Sequence, residues 1–409
     1  MEDIEVPPFF ICPISLEIMK DPVIVPTGIT YDRTSIEKWL FSGKNNTCPV
    51  TKQVISSDCE ELIPNHTLRR LIQSWCMLNA SYGIERIPTP KPPVNKTQIT
   101  KLINDAKAPL QQVKCLGKLR SIADENDTNK RCMESSGVVE FLVSIINKFN
   151  SVVLEEYGTF EVTRPSDEAL SLLYNLKLSE SSLKRLNGQQ FIESLTQIMQ
   201  RGNYESRSYA VLLLKLIIEV ADPMPLINLK PEIFEEIVQV LRDQISHKAT
   251  KATLQVLIDV CPWGRNRIKA VEAGAVSILI DLLLESTERR PCEMMLSVLE
   301  LLCQSAEGRA ELLKHGAGLA IVSKKILRVS KVASDRGVRI LYSISRFSAS
   351  PSVVQEMLQL GVVTKLCLVV QVDCGNKTKE RAREILKLHG RVWKDSNCLP
   401  VNLLSSYPA

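Results

Sequence analysis

Apolar residues recur at helical spacing almost without a break from about Thr97 to Asp395. One unit repeats within this stretch: a polar start, a helix, a glycine or proline, then a longer apolar helix. Examples are NKRCMESSGVVEFLVSII (129–146), NRIKAVEAGAVSILIDLLL (266–284), GRAELLKHGAGLAIVSKKIL (308–327) and SVVQEMLQLGVVTKLCLVV (352–370). The breakers Gly137, Gly188, Pro231, Gly274, Gly316 and Gly361 lie 51, 43, 43, 42 and 45 residues apart. The longer first interval predicts an inserted surface loop near 150–163. The first 80 residues follow another pattern. Val23-Ile24-Val25 and Ile29-Thr30-Tyr31 flank Pro26-Thr27-Gly28, a strand–turn–strand signal. Asp32 and Thr34 are N-cap candidates for a helix whose inner face is Ile36, Trp39 and Leu40. A second helix is expected from Asn65 or Thr67, burying Leu68, Leu71, Ile72 and Trp75. Between the halves, IERIPTPKPPVNK (84–96) reads as an extended proline-rich linker.

Composition narrows the class. Apolar residues are 44% and charged residues 24%, as in globular chains. A net charge of +5 is too small for a dedicated nucleic-acid binder, which concentrates basic residues on one face. The start MEDIEVPP lacks the basic and apolar regions of a signal peptide, and no apolar run reaches the roughly 20 residues of a membrane span. The 12 cysteines have no framework spacing, so they read as buried thiols of an intracellular protein. The default compartment is the cytosol, with the nucleus second.

FICPISLEIMKDPV, GITYDRTSIEKWL and TCPVT, between Phe10 and Thr51, have the spacing of a zinc-binding RING without its ligands. A cross-brace RING clips each tetrahedral zinc with close Cys or His pairs. The first 80 residues hold only Cys12, Cys48, Cys59, Cys76 and His66, with no close cysteine pair. No metal and no other cofactor is expected. This segment, from about Pro8 to Trp75 and including LIPNHTLRRLIQSWC, resembles the U-box, the metal-free relative of the RING in ubiquitin ligases. In that family a polar network replaces the metals. The resemblance implies Ser15, Glu17, Asp32, Arg33, Glu37 and Asn65 as its members here, several of which could equally be helix caps.

The repeat period matches armadillo repeats, roughly 40–47 residues, with about five or six copies; a HEAT-type solenoid is the structural alternative. The chain as a whole is similar to plant U-box/armadillo ubiquitin ligases, more narrowly the short-linker subgroup tied to stress responses and negative control of immunity. The expected fold is mainly α: a small α+β RING-like U-box (5–80), a linker (81–96), an α-helical armadillo-repeat superhelix (97–395) and a C-terminal tail (396–409).

The resemblance implies partners and sites. A ubiquitin-conjugating enzyme charged with ubiquitin would dock on Ile14 and Leu16 of a first loop, Trp39 of the first helix and Pro49 of a second loop; core filling is the competing role for Ile14, Leu16 and Trp39. Lys52 stands where many family members place an arginine that bridges enzyme and ubiquitin, and lysine lacks the planar fork of that residue. A protein substrate would lie on the armadillo groove, whose inward asparagine column here reads Asn175, Lys215, Asp259, Glu300 and Ser343. With one asparagine in five, a grip on an extended basic peptide is not expected; a solvated polar ridge is the competing reading. The resemblance also admits a U-box-mediated dimer. His66, His247, His315 and His389 are far apart and read as surface or capping residues, and nothing beside Cys12 or Cys48 suggests a nucleophile. No catalytic residue is expected on this chain. Two other functions compete: a non-enzymatic armadillo adaptor with a degenerate U-box, and a nucleic-acid-binding solenoid, disfavoured by charge and by 5% aromatic content.

Because the ligand pairs are missing, chelator should leave folding and activity unchanged. Elemental analysis finding one or two zinc atoms per chain would reverse the assignment.

Overall fold

The computed structural model describes residues 5–42, 45–55, 62–89, 94, 96–148 and 164–394. The insertion expected at 150–163, the tail from 396 and Cys59 lie outside the described residues. The chain divides into two compact units, Met1–Pro93 and Val94–Ala409.

In the first unit β1 (Pro22–Ile24) and β2 (Thr30–Asp32) form the expected hairpin, with Val23 opposite Tyr31. Gly28, at φ +83°, lets the turn close through its N–H to the Val25 carbonyl at 2.8 Å. A third strand, β3 (Ile63–Pro64), pairs antiparallel with the other edge of β1, giving the order β2-β1-β3. Two residues ending in proline carry no strand signal, so β3 was not foreseen. Next, α1 (Arg33–Glu37) widens into a π turn over Lys38–Ser42. Asp32 occupies its N-cap position, but its carboxylate makes no cap bond.

The second helix, α2 (His66–Leu78), is capped by Asn65, whose side chain accepts the Leu68 N–H at 3.0 Å. Its buried face differs from the expected one. Ile72 and Cys76 are buried, Leu68 and Trp75 pack beside them, and Leu71 is 52% exposed. Successive residues turn by about 100° on a helix, so a face centred between Ile72 and Cys76 leaves Leu71 at its margin. The core is completed by Phe10, Met19, Val23, Val25, Tyr31 and Ile36. The segment after α2 is neither helix nor strand from Ile84 to Thr89. It is not a free spacer, however: Ile87 is buried in this core, Ile84 packs against it, and Gln73 Nε2 donates to the Ile87 carbonyl at 3.3 Å.

The second unit opens with α3 (Lys96–Asp105) and α4 (Pro109–Glu125). Six helical triplets follow among the described residues. The first two are α5 (Asp127–Ser135), α6 (Val138–Asn147), α7 (Pro165–Asn175), and α8 (Glu180–Leu186), α9 (Gln189–Arg201), α10 (Tyr204–Val220). The third and fourth are α11 (Pro223–Ile227), α12 (Pro231–Asp243), α13 (His247–Val260), and α14 (Asn266–Glu272), α15 (Ala275–Glu285), α16 (Arg289–Leu302). The last two are α17 (Ala306–Lys314), α18 (Gly318–Lys325), α19 (Lys331–Phe347), and α20 (Pro351–Gln359), α21 (Val362–Gln371), α22 (Asn376–Leu388), with α23 (Gly390–Trp393) behind them. The third helices of successive triplets pack on one another from α4 to α22, forming one ladder along the solenoid.

The breakers sit where first helix turns into second, by different means. Gly274, at φ +85°, takes a left-handed conformation that an L side chain would pay to adopt, whereas Pro231 opens α12 at a position that needs no N–H. In the fifth triplet the constrained residue is Gly318 rather than Gly316: a Cβ there would meet the Leu312 carbonyl oxygen at 2.1 Å. Among the described residues no single helix is long and apolar enough to cross a membrane.

Residues 1–89 should fold alone and unfold cooperatively in urea. Stopping at residue 82 removes Ile84 and Ile87, and one buried Ile contributes about 1.5–3 kcal/mol, so the shorter piece should show a clearly lower midpoint. Equal midpoints would show that 84–89 adds nothing to the module.

Candidate functional site

The first unit presents two loops built alike. In Cys12-Pro13-Ile14-Ser15-Leu16-Glu17 the Cys12 N–H donates to the Glu17 carbonyl at 2.8 Å, and the Leu16 N–H to the Cys12 carbonyl at 2.9 Å. In Cys48-Pro49-Val50-Thr51-Lys52-Gln53 the same bonds run from Cys48 to Gln53 and from Lys52 to Cys48, at 2.8 and 2.9 Å. Single antiparallel bridges, Ile11 to Ile18 and Thr47 to Val54, close each base. The fifth residue of each loop takes positive φ, +57° at Leu16 and +60° at Lys52. Such a conformation costs a residue with a side chain about 1–2 kcal/mol. The matched strings Cys-Pro-Ile-Ser and Cys-Pro-Val-Thr are the sequence signal of this likeness.

Strand β2 holds both loops through adjacent residues. The Tyr31 hydroxyl lies 3.0 Å from Cys48 Sγ and accepts the Val50 N–H at 3.3 Å, while the Asp32 N–H donates to Cys12 Sγ at 3.3 Å. Thr27 Oγ1 adds a bond to Cys48 Sγ at 3.4 Å. Both thiols are fully buried. Burial alone would raise the Cys48 pKa, but donors from Thr27, Thr51 and Tyr31 outweigh it and bring it down to about 6. Burial likewise opposes a lowered Cys12 pKa, and N–H groups of Ser15, Asp32 and Ile14 overcome it. Tyr31 is pushed upward by burial and by the Cys48 sulfur. The sequence showed no cause for a lowered thiol pKa; the cause is a set of donors brought in from β2 and the hairpin turn.

Beneath the loops lies a charged network. Asp21 accepts from Arg33 Nε at 2.6 Å and faces Arg69 at 3.8 Å, and Arg33 reaches Glu37 at 3.9 Å. The buried Asp32 carboxylate accepts from the Lys20 N–H at 2.8 Å, the Asp21 N–H at 3.0 Å and Thr34 Oγ1 at 2.7 Å. Of the expected members, Asp32, Arg33 and Glu37 meet here, and Asn65 caps α2. Ser15 is exposed and acts instead on the Cys12 sulfur, whose pKa it helps to lower. Glu17 contributes its main-chain carbonyl while its side chain is exposed, so it belongs to the loop turn and not to the charged network. Asp21 and Arg69 were not foreseen, because their pairing depends on how α2 seats against the hairpin.

Leu16 is 75% exposed and Val50 52%, whereas Ile14 and Pro49 are half-buried, with Ile14 also packing on the core. Trp39 is half-buried too, and its Nε1–H donates to the Thr47 carbonyl at 2.8 Å, tying the π turn to the base of the second loop. Lys52 is exposed.

In the second unit the five expected groove residues all lie on third helices, yet most are already engaged. Lys215 pairs with Glu219 at 2.7 Å, and Gln255 donates to Asp259 at 3.0 Å. Burial, and secondarily the Glu219 charge, raise the Asp259 pKa. Glu300 is buried, held by Arg336 at 3.0 Å and Gln304 at 2.9 Å. Ser343 donates to the Cys303 carbonyl at 2.8 Å, and Asn175, half-buried, ends α7. Glu300 and Ser343 thus tie neighbouring third helices together, which a solvated ridge would not do. Of the histidines, His389 is half-buried against Trp393, and burial lowers its pKa.

Two loops on a hydrogen-bonded β-hairpin, followed by stacked helical triplets, define a RING-like module joined to an armadillo solenoid. Residues 6–81 match the U-box domain model, and 98–409 match the plant U-box protein ARM repeat region. The chain belongs to the plant U-box proteins with armadillo repeats. It is 62% identical to "E3 ubiquitin-protein ligase PUB23" of Arabidopsis thaliana, over all of this chain and 98% of that protein. It is 60% identical to "E3 ubiquitin-protein ligase PUB22" of the same plant, over the whole of both. Among solved structures, a chain from "A conserved phosphorylation switch controls the interaction between cadherin and beta-catenin in vitro and in vivo" aligns with 79% of this chain and 58% of its own, at TM-score 0.59 and 13% identity, a likeness of fold alone.

A pH dependence follows from Cys48. Its folded pKa, about 6, lies below the ordinary value of 9.0, so its contribution is complete above the ordinary value and is lost as pH falls through 6. The urea stability of residues 1–89 should therefore rise between about pH 6 and pH 9. Cys48→Ser should flatten most of that rise, with Cys12 leaving a smaller one of the same sign. An unchanged slope would show that the Cys48 sulfur stays protonated.

Proposed function

We infer that the chain is an E3 ubiquitin-protein ligase of the RING type. The observation that carries this reading is the pair of matched loops, each presenting apolar side chains outward from a rigid turn, in a chain with ligase relatives along its full length. Ile14 and Leu16 of the first loop and Pro49 of the second dock the ubiquitin-charged conjugating enzyme, and Trp39 braces the second loop. The chain contributes proximity and orientation: it holds the thioester of the conjugating enzyme where a substrate lysine can attack it. It forms no covalent ubiquitin intermediate. Cys48 has the lowered pKa a nucleophile needs, but its sulfur is fully buried and its bonding directions are occupied by Thr27 and Tyr31.

Lys52 projects from a turn whose positive φ sets its direction, and a single ammonium there offers a charge to ubiquitin without a two-pronged contact. The solenoid recruits the protein substrate. A role in plant stress or immune signalling rests on the resemblance to the short-linker subgroup, and a cytosolic location, with the nucleus second, rests on cysteines that lack framework spacing.

The deciding experiment is self-ubiquitination with purified activating enzyme and several conjugating enzymes. Interface anchors commonly contribute 2 kcal/mol or more, and a loss of about 2.8 kcal/mol weakens binding a hundredfold. Leu16→Ala and Pro49→Ala should each keep the melting temperature and lose most ubiquitin transfer. Trp39→Ala should lower the melting temperature as well. Full transfer by both loop variants would make the non-enzymatic adaptor the better reading.

A further inference from the structure

Positive charge gathers at the C-terminal end of the third-helix ladder. Helix α19 carries four basic residues against the single acid Asp335, and α22 carries five against two. Lys331 pairs with Asp373 at 2.6 Å, Arg336 with Glu300 at 3.0 Å, and Asp335 is shared by Arg339 at 2.8 Å and Arg381 at 3.4 Å, which leaves Arg346 as the base of α19 without a carboxylate partner among the described residues. At the end of α19 two guanidinium groups approach one aromatic ring. Phe347 is 63% exposed, with the guanidinium of Arg309 5.2 Å from its centroid and that of Arg346 at 5.5 Å. Arg346 also donates to the Tyr342 hydroxyl at 2.8 Å.

Arg309 is buried. Its Nε donates to Ser348 at 2.9 Å, and one Nη donates to the Cys303 and Gln304 carbonyls at 3.1 and 3.2 Å. These neutral acceptors orient the guanidinium without neutralising it. Among the described residues neither Arg309 nor Arg346 lies within ion-pair distance of a carboxylate. Two oriented cations against an exposed ring, without a carboxylate partner among the described residues, form an unlike-charge complement to a carboxylate-bearing chain.

We propose that this end of the ladder, centred on Phe347 with Arg309, Tyr342 and Arg346, docks an acidic segment of the substrate protein. The proposal rests on the reading that the solenoid captures substrate, and names the chemistry of what it captures. An apolar side chain of the segment packs on Phe347 while its carboxylates meet Arg346 in the field of the Arg309 guanidinium. Arginine and aromatic residues are the types that most often dominate interface energetics. A basic segment meets repulsion here. Single-stranded nucleic acid needs a series of stacking rings along a basic groove, whereas here Phe347 and Tyr342 share one short stretch of α19.

The test uses the full chain and a fluorescein-labelled twelve-residue peptide of Asp and Glu with two Leu, titrated by polarisation. Controls are the Asn/Gln and Lys versions of the peptide and a twelve-nucleotide oligothymidylate. The acidic peptide should bind about tenfold or more tighter than its Asn/Gln counterpart. Arg346→Glu and Phe347→Ala should each weaken it about tenfold, with melting temperature and self-ubiquitination unchanged. Lys101→Glu, an exposed charge reversal on α3, should change it less than about twofold. Equal loss in Lys101→Glu, no preference for the acidic peptide, or tighter binding of the oligonucleotide would each overturn the proposal. Peptide binding as described without self-ubiquitination would overturn the ligase reading and leave this surface standing.

Discussion

The contact of Tyr31 with the Cys48 sulfur, at 3.0 Å, and of the Asp32 N–H with the Cys12 sulfur, at 3.3 Å, is the constraint on which the first unit depends. The two donors are consecutive residues of β2. One points its side chain into the core toward the second loop, and the other offers its main-chain N–H to the first. Because neighbouring groups on one strand have a fixed spacing, the positions of the two loops are coupled. A metal-binding RING achieves that coupling by ligands from separate chain elements around each ion. Here buried sulfur atoms act as acceptors for surrounding N–H and O–H donors, and each loop closes through its own main chain.

The likeness of the loops extends to the cost of holding them. Leu16 and Lys52 both sit at positive φ, and neither is glycine. Such strain persists where the surroundings over-determine it. Each loop has two main-chain bonds and a bridge at its base, which together fix the direction in which the fifth side chain leaves the surface. A glycine would remove the strain but also the group displayed, an exposed leucine in one loop and an exposed lysine in the other.

Much of this architecture could be read from the residues, for reasons that vary along the chain. The solenoid was legible because each triplet repeats the same burial problem, and the breakers mark where first helix meets second. The hairpin was legible through Pro26-Thr27-Gly28. Strand β3 was hidden because two residues joined to a sheet by long-range pairing carry no local pattern. Leu71 fooled the periodicity because Cys76, a small apolar residue, was not counted as core. The polar network was half legible: Asp32, Arg33 and Glu37 lie close in sequence, whereas Asp21 and Arg69 are brought together only when α2 docks. Glu17 was misassigned because a side-chain pattern cannot reveal that a carbonyl carries the bond.

The third-helix column shows the same limit with a different consequence. An asparagine in an armadillo groove is useful because its amide stays free to bond a peptide backbone. Glu300 and Ser343, at that column, spend their bonding capacity on Arg336, Gln304 and the Cys303 carbonyl. Lys215 and Asp259 likewise pair with groups on their own helices. A groove whose column is mostly satisfied internally grips a main chain poorly, so the proposed capture of an acidic segment relies on side chains outside that column. The cations at the end of α19 are of that kind: Arg346 has no carboxylate partner among the described residues, and Arg309 is turned toward Phe347 by neutral acceptors that leave its charge intact. The ladder is thus polar in two senses, spent in stabilising itself along the column and held in reserve at its C-terminal end.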